Sequence, residues 1–286
     1  ARLVNAVLRK VSEEGGSILR DIKKSNRLED KCLVSGIPIW VGLKWKENME
    51  PEALATLLKL NRMKTYLSLR GTPGEDVESI VRELNDSGYR SWPSSLVDQA
   101  IRLAGSAHPP DLPGFASGRI TPQSESSIMV GKLVSQLWKG GHIIDMCMGR
   151  AVKLGQIAQD IPNVSLEGWE LSSARAKAAE IEIKRLGLGE NISMKVGDSV
   201  LLEPNERPGL VFLDAPCSGS GTWNRHPESK WRISRKTLEE NSFIQKKLLC
   251  RALEMVSPGG TVVYATCSLF REENENVVEA VLKDHN

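Results

Sequence analysis

No Cys-x-x-Cys pair occurs in this 286-residue sequence, and its five cysteines, Cys32, Cys147, Cys217, Cys250 and Cys267, are odd in number and scattered. That spacing suits reduced thiols better than a disulfide framework or a zinc site, and no metal is expected. No stretch approaches the roughly 18 consecutive apolar residues that a membrane helix needs, so membrane insertion is not expected. The opening ARLVNAVLRKVSEEGG is charged and amphipathic, unlike the apolar run and small-residue cleavage site of a secretory leader. A cytoplasmic setting is the expectation that follows. An excess of one charge is also missing: a net charge of +2 and a pI near 8.3 are too mild to declare a nucleic-acid binder by themselves. Only the stretch from Trp223 to Arg251 stands out, with eight Lys/Arg against three acids, an excess that suits either phosphates or a solvated helix face. Internal repeats, low-complexity tracts and a full Gly-x-Gly-x-x-Gly fingerprint are absent too, which makes a nicotinamide dinucleotide a poor candidate ligand.

What is present is enough chain for a large α/β domain and a smaller companion. Residues 1–30 read as basic and helical, and the turn from Arg2 to Lys10 has nothing of its own to pack against. Residues 31–108 form a mixed α+β unit: a Pro-Ile-Trp stretch, a helix near Pro51–Asn61, a strand at Thr65–Leu69, a helix at Asp76–Ser87, then β segments at Tyr89–Trp92 and Leu96–Leu103. Gly105–Thr121, rich in proline and glycine, reads as a connector. Over 109–286, apolar runs at His142–Met146, Ser165–Trp169, Ile192–Val196, Leu210–Leu213 and Thr261–Ala265 alternate with helical stretches. That alternation predicts a parallel, Rossmann-like sheet covered by helices on both faces.

Ligands of such sheets sit beyond the carboxyl ends of the strands, so the residues closing each run are the candidates. They are Asp145, Glu170, Asp198, Asp214 and Cys267. Glu170, about 25 residues beyond Asp145, is placed to accept hydrogen bonds from both ribose hydroxyls of a nucleoside. Asp198 can meet an adenine amino group or cap the next turn. S-adenosylmethionine carries a sulfonium and no phosphate, so an acidic rim without an anion-binding loop favours it over a dinucleotide.

Two stretches carry the chemistry: Val211-Phe-Leu-Asp-Ala-Pro-Cys-Ser-Gly-Ser-Gly-Thr222 and Val262-Val-Tyr-Ala-Thr-Cys-Ser268. Each is a buried strand that delivers a cysteine at its carboxyl end, and if the strands are neighbours both thiols and Asp214 converge. DAPCSGSG with the following Trp223 and Lys230-Trp-Arg232, and TCS with the following Glu272-Glu-Asn-Glu275, resemble the Sun-type family of RNA cytosine-C5 methyltransferases. The resemblance spans roughly residues 105–286 and takes in GRITPQSESS (118–127), similar to the family's glutamine-containing motif. Val4-Asn-Ala-Val-Leu-Arg9 resembles the last helix of the NusB-like domain of bacterial ribosomal-RNA members, and residues 31–108 their small RNA-binding domain.

The resemblance implies a monomeric enzyme that methylates C5 of a cytosine in RNA, most similar to enzymes of small-subunit ribosomal RNA. C5 of cytosine is a poor nucleophile until a thiolate adds to C6, and the C5 proton must afterwards be removed. Cys267 is the candidate thiolate. The family assigns release to Cys217 and places Asp214 on the N3/N4 edge of the base. A Pro-Cys nucleophile like that of the DNA cytosine-C5 enzymes, here Pro216-Cys217, is the alternative division of labour. By the same resemblance Asp145, Cys147, Met148, Gly149, Lys153, Glu170, Arg175, Asp198 and Asp214 hold S-adenosylmethionine; Trp223, Trp231 and the basic stretch with Arg225, Lys230 and Arg232 are placed to hold RNA, core packing being the other reading of each tryptophan. Two departures stand out. The family's Asp-x-Cys-Ala-Ala-Pro-Gly-Gly-Lys-Thr loop here reads Asp145-Met-Cys-Met-Gly-Arg-Ala-Val-Lys-Leu154, with Lys153 still in register and Val152 adding bulk. Ser124 replaces an acid. The chain also stops short of the last strands of such a sheet, which suggests a piece of a longer protein. The altered loop keeps open a non-catalytic RNA-binding or ribosome-assembly factor on a decayed methyltransferase fold.

Overall fold

A helical region opens the chain: α1 (Arg2–Lys24), α2 (Leu28–Ser35), α3 (Ile39–Asn48) and α4 (Pro51–Leu60). The computed structural model describes residues 2–63 and 65–284, so Ala1 and His285–Asn286, the outer limits of the expected first and last units, lie outside the described residues. Helix α1 buries none of its residues, and its apolar stripe of Leu3, Val4, Val7, Leu8 and Val11 is exposed. The Pro-Ile-Trp stretch, read among mixed elements, starts α3: Pro38 stands at its N-cap, where its missing N–H costs nothing. Trp45 of α3, with Cys32, Leu54 and Leu58, packs against Trp223, Leu238 and Phe270 from far down the chain.

Next come β1 (Leu67–Gly71), α5 (Val77–Asp86), β2 (Ser91–Pro93), β3 (Ala100–Leu103) and β4 (Ile120–Pro122), which make an antiparallel sheet ordered β2-β3-β1-β4. Asp76 caps α5 by accepting from the backbone of Glu78 and Ser79. The stretch expected to be a bare connector ends in β4, which pairs with β1 through Leu69–Gly71. The reason is local: Ile120 and Thr121 are buried and need ladder partners for their backbone.

The rest alternates as its sequence predicts: α6 (Glu125–Leu137), β5 (Ile143–Asp145), α7 (Val152–Asp160), β6 (Leu166–Glu170), α8 (Ser173–Arg185), β7 (Ile192–Val196), β8 (Leu210–Asp214), α9 (Arg235–Met255), β9 (Thr261–Ala265) and α10 (Glu275–Asp284). All five strands are parallel, in the order β7-β6-β5-β8-β9. Helices α6, α7 and α8 cover one face through Val134, Leu154, Ile157 and Ile183, and α9 and α10 the other through Leu248, Ala252, Val277 and Val281. Chain direction across the sheet reverses between β5 and β8, which places a crevice above Asp145 and Asp214.

The two sheets are bolted together by buried polar side chains. Arg70 of β1 donates to Gln123 (2.7 Å) and to Gln159 of α7 (2.8 Å). Arg185 of α8 donates to the Ile120 carbonyl (3.1 Å) and the Thr121 hydroxyl (2.8 Å), and Gln123, from the glutamine-containing motif, donates to Gln156 of α7 (2.5 Å). Ser124, which replaces an acid, caps α6 by accepting from the Ser127 N–H.

Candidate active site

Parallel pairing of β8 with β9 sets Asp214 beside Ala265, so residues just past each strand leave the sheet at the same edge. Cys217 and Cys267 emerge there with their sulfurs 3.3 Å apart. Cys267 is exposed to solvent and Cys217 is half-buried. The hydrogen bond from Cys217 brings the Cys267 thiol down to about 7, helped by the Lys153 ammonium and opposed by burial and by Asp214. Cys217 moves the opposite way: the same contact, burial and repulsion from Cys267 push it far above the usual thiol range. The contact thus favours the thiolate at Cys267, just past β9, and the protonated thiol at Cys217. Lys153, on the first turn of α7, donates to the Asp214 carboxylate at 2.6 Å.

A cleft of about 590 Å³ runs from this pair across the switch point, lined by Cys147, Gly149, Glu170, Arg175, Asp198, Asp214, Cys217 and Cys267. Glu170 is buried to 96% and accepts from the Ser172 N–H (2.7 Å) and Arg175 (2.6 Å) through one oxygen. Asp198 accepts from the Val200 N–H at 3.0 Å, so it caps its turn while also facing the cleft. Asp145 is completely enclosed; burial, with repulsion from Asp214, raises its carboxyl to about 7, and it orients the loop by accepting from the Cys147 N–H (3.1 Å). Cys147 is raised far above the thiol range, chiefly by burial and then by Asp145 and Asp214, so it stays a neutral wall.

The altered loop turns on two left-handed residues, Gly149 (φ +57°) and Ala151 (φ +60°). Gly149 opens on the cleft, and a side chain there would meet nothing within 4 Å, so its φ is the reason for glycine. Val152 begins α7 and is not among the residues lining the cleft, contrary to the expected obstruction. Met148 points away from it: its sulfur would lie 2.4 Å from a Cβ at Gly168, and its side chain packs in the core against Leu154 and Leu166. Its side chain therefore does not face the cleft.

Two expected RNA contacts are corrected. Trp223 is wholly buried, its ring 5.7 Å from Trp45 and edge-on to Phe270, with no face free for a base. Lys230 is 95% buried beside Gly36 at the end of α2, and burial lowers its ammonium. Arg225, Arg232 and Trp231 are exposed, and Trp231, at 69%, is the tryptophan of this stretch that offers a ring.

Sequence reasoning passed over three groups. Phe243, Ile244 and Lys247 of α9 line the cleft, with the Lys247 ammonium 4.4 Å from the Phe243 ring. Their i, i+4 spacing with exposed apolar side chains was the available signal. Glu273 and Asn274, visible only as part of a motif, hydrogen-bond the loops on which both cysteines sit. The Lys153–Asp214 pair joins two residues singled out separately.

Residues 133–286 match the family of the 16S rRNA methyltransferase RsmB/F. Over 98% of its length the chain is 28% identical to ribosomal RNA small subunit methyltransferase B of Salmonella newport (strain SL254), and it spans 64% of that protein. The corresponding protein of Klebsiella pneumoniae subsp. pneumoniae is 29% identical over the same shares. Among solved structures, PH0851 is 26% identical with a TM-score of 0.84, over 92% of this chain and 60% of that one. NSun6 from Pyrococcus horikoshii, solved with SFG, shares the fold at 18% identity and a TM-score of 0.76, over 88% of each chain.

Proposed function

Because this chain belongs to the 16S rRNA methyltransferase RsmB/F family, we propose that it methylates C5 of a cytosine in small-subunit ribosomal RNA through a covalent adduct on Cys267. The observation that carries this reading is the thiol pair: two cysteines from neighbouring strands, 3.3 Å apart, of which only Cys267 is shifted toward its thiolate.

S-adenosylmethionine, when bound, supplies a methyl group on a positively charged sulfur. The cleft fits it: Glu170 can take the ribose, Asp198 the adenine edge, and the acidic wall of Glu170, Asp198 and Asp214 suits a sulfonium. Gly149 leaves that wall open, and Phe243 and Ile244 supply apolar surface opposite. Cys267 then adds to C6 of the cytosine, and the electron pair of the C5–C6 double bond shifts toward N3, which takes a proton through the Lys153–Asp214 pair at the N3/N4 edge and returns it when that double bond re-forms. C5 takes the methyl group. Conversion of Cys267 to a thioether removes the negative charge that holds Cys217 protonated, so Cys217 can ionise to solvent and accept the C5 proton. The C5–C6 double bond re-forms and the Cys267 thiolate leaves. A buried duplex base cannot reach the pair, so the target is flipped out or single-stranded, with Arg225, Arg232 and Trp231 as exposed partners for it and its neighbours. We take the working form to be a cytoplasmic monomer.

The test is calorimetric titration with S-adenosylmethionine, followed by methyl transfer to small-subunit rRNA read as 5-methylcytidine by nucleoside mass spectrometry. Micromolar binding and that product are expected. A folded protein that binds RNA but neither binds the donor nor makes the product is a non-catalytic RNA-binding factor instead.

A further inference from the structure

The Glu272-Glu-Asn-Glu275 run is not used by the chemistry above, yet two of its residues reach both cysteine loops. Glu273 is fully buried, and its charge is met by hydrogen bonds. One oxygen accepts from the Ser218 N–H (2.8 Å), Asn241 (2.9 Å) and Gln245 (3.4 Å), and the other from the Ser218 hydroxyl. Ser218 directly follows Cys217. Gln245 also donates to the Pro216 carbonyl at 2.8 Å, so the residues on either side of Cys217 are tied to one carboxylate, directly or at one remove. Asn274 does the same for the other loop. Its side-chain oxygen accepts from the Thr266 hydroxyl (2.6 Å) and its nitrogen donates to the carbonyls of Ser268 and Phe270 (3.0 Å each). Thr266 and Ser268 flank Cys267. Cross-ties complete the frame: the Gly221 N–H to the Cys267 carbonyl at 2.9 Å, and the Leu269 N–H to the Ser220 hydroxyl at 2.7 Å.

We propose that Glu273 and Asn274 are positioning residues that set the gap between the two thiols, one holding the Cys217 loop and the other the Cys267 turn. They are adjacent in sequence, so their side chains share one backbone unit, and the two loops cannot drift apart without breaking bonds to a buried carboxylate or to Asn274. Neither touches a sulfur, and neither lines the cleft. What the spacing is for rests on the methyl-transfer reading: two sulfurs have to serve adjacent carbons of one ring. A shift of about 1 Å in such an arrangement costs on the order of 100-fold in rate.

Phenylarsine oxide tests the spacing without any methyl donor or RNA, because its arsenic bonds two thiols at once, releases one water and needs both sulfurs close together. The wild-type chain should bind it in a 1:1 complex that a monothiol does not displace. Glu273→Leu removes both acceptors of the Ser218 loop, and Asn274→Asp removes both donors to the Cys267 turn. Each should weaken arsenical capture by about tenfold or more, with the melting transition intact and each cysteine still alkylated singly by iodoacetamide. Should either variant fail to fold, Thr266→Val removes only the hydroxyl that Asn274 accepts from, and it should weaken capture as well. Folded variants that capture the arsenical as the wild type does would overturn the assignment, and so would loss of capture only in variants that have lost the melting transition. If the wild type binds no S-adenosylmethionine, the methyl-transfer reading fails, while the arsenical still reports on the spacing.

Discussion

The proposed mechanism requires Cys267 to be ionised near neutral pH, and the residues that favour its thiolate are few. The hydrogen bond from Cys217 is the largest influence and Lys153 a smaller one, so the thiolate fraction should rise as pH increases through about 7. Removing a group that stabilises the thiolate must move that midpoint up. Iodoacetamide alkylation of Cys267 followed against pH should thus show a midpoint near 7 in the wild type, a higher one in Cys217→Ala, and a smaller rise in Lys153→Met. A midpoint unchanged by Cys217→Ala would mean that the neighbouring thiol does not stabilise the thiolate. Which cysteine is the nucleophile was open in the sequence, because Pro216-Cys217 and Thr266-Cys267 both suit the part. The opposite shifts of the two thiols in their shared environment favour Cys267.

The cofactor loop and α7 show what an element can absorb. Ala151 is fully buried with a left-handed backbone, a conformation that costs an L-residue roughly 1–2 kcal/mol. Ala151→Gly should be neutral or stabilising by up to about 1 kcal/mol, while Ala151→Val, whose branched side chain tolerates that backbone least, should destabilise by about 2 kcal/mol or more. Urea unfolding of the two variants decides it; equal losses would show that backbone strain is not what limits this position. The five parallel strands were legible because each is a short apolar run ended by an acid or followed by a cysteine motif. Elements whose partners lie far away in sequence were not. Trp223 reads equally as an RNA-facing ring beside basic residues and as core, and Trp45 and Phe270, brought in by α3 and the turn after β9, bury it. Lys230 is covered by the end of α2 in the same way, and β4 reads as linker because its ladder partner, β1, comes some fifty residues earlier. Met148 stands in a loop that looks like ligand contact, yet Gly168 on β6 leaves the space that takes its side chain into the core.

At the scale of the whole molecule, the small sheet is held to the parallel one by Arg70 and Arg185 rather than by a broad apolar face. Arg185 lies between the units, with Phe115, Ile120 and Thr121 on one side and Glu182 on the other. Arg185→Ala leaves those carbonyls without their donor in a buried seam, a loss of about 1–3 kcal/mol. Scanning calorimetry should show a lower, broadened or split transition, whereas a single undisplaced peak would mean that the seam contributes little to cohesion. Because α7 carries both Gln159, which Arg70 reaches, and Lys153, which reaches Asp214, the same seam supports the floor of the active cleft.

Methyl transfer through a thioether on Cys267 is tested most directly by the variant that can form the adduct but not release it. Cys217→Ala, incubated at pH 8.5 with small-subunit rRNA and S-adenosylmethionine, should yield a protein–RNA complex that survives denaturing electrophoresis, with the cross-link mapped to Cys267 by mass spectrometry. The high pH offsets the raised ionisation midpoint expected of that variant. Replacing Cys267 as well should abolish the complex. An adduct mapped to another residue, or a Cys217→Ala protein that turns over freely with no trapped RNA, would contradict the assignment of nucleophile and releasing base.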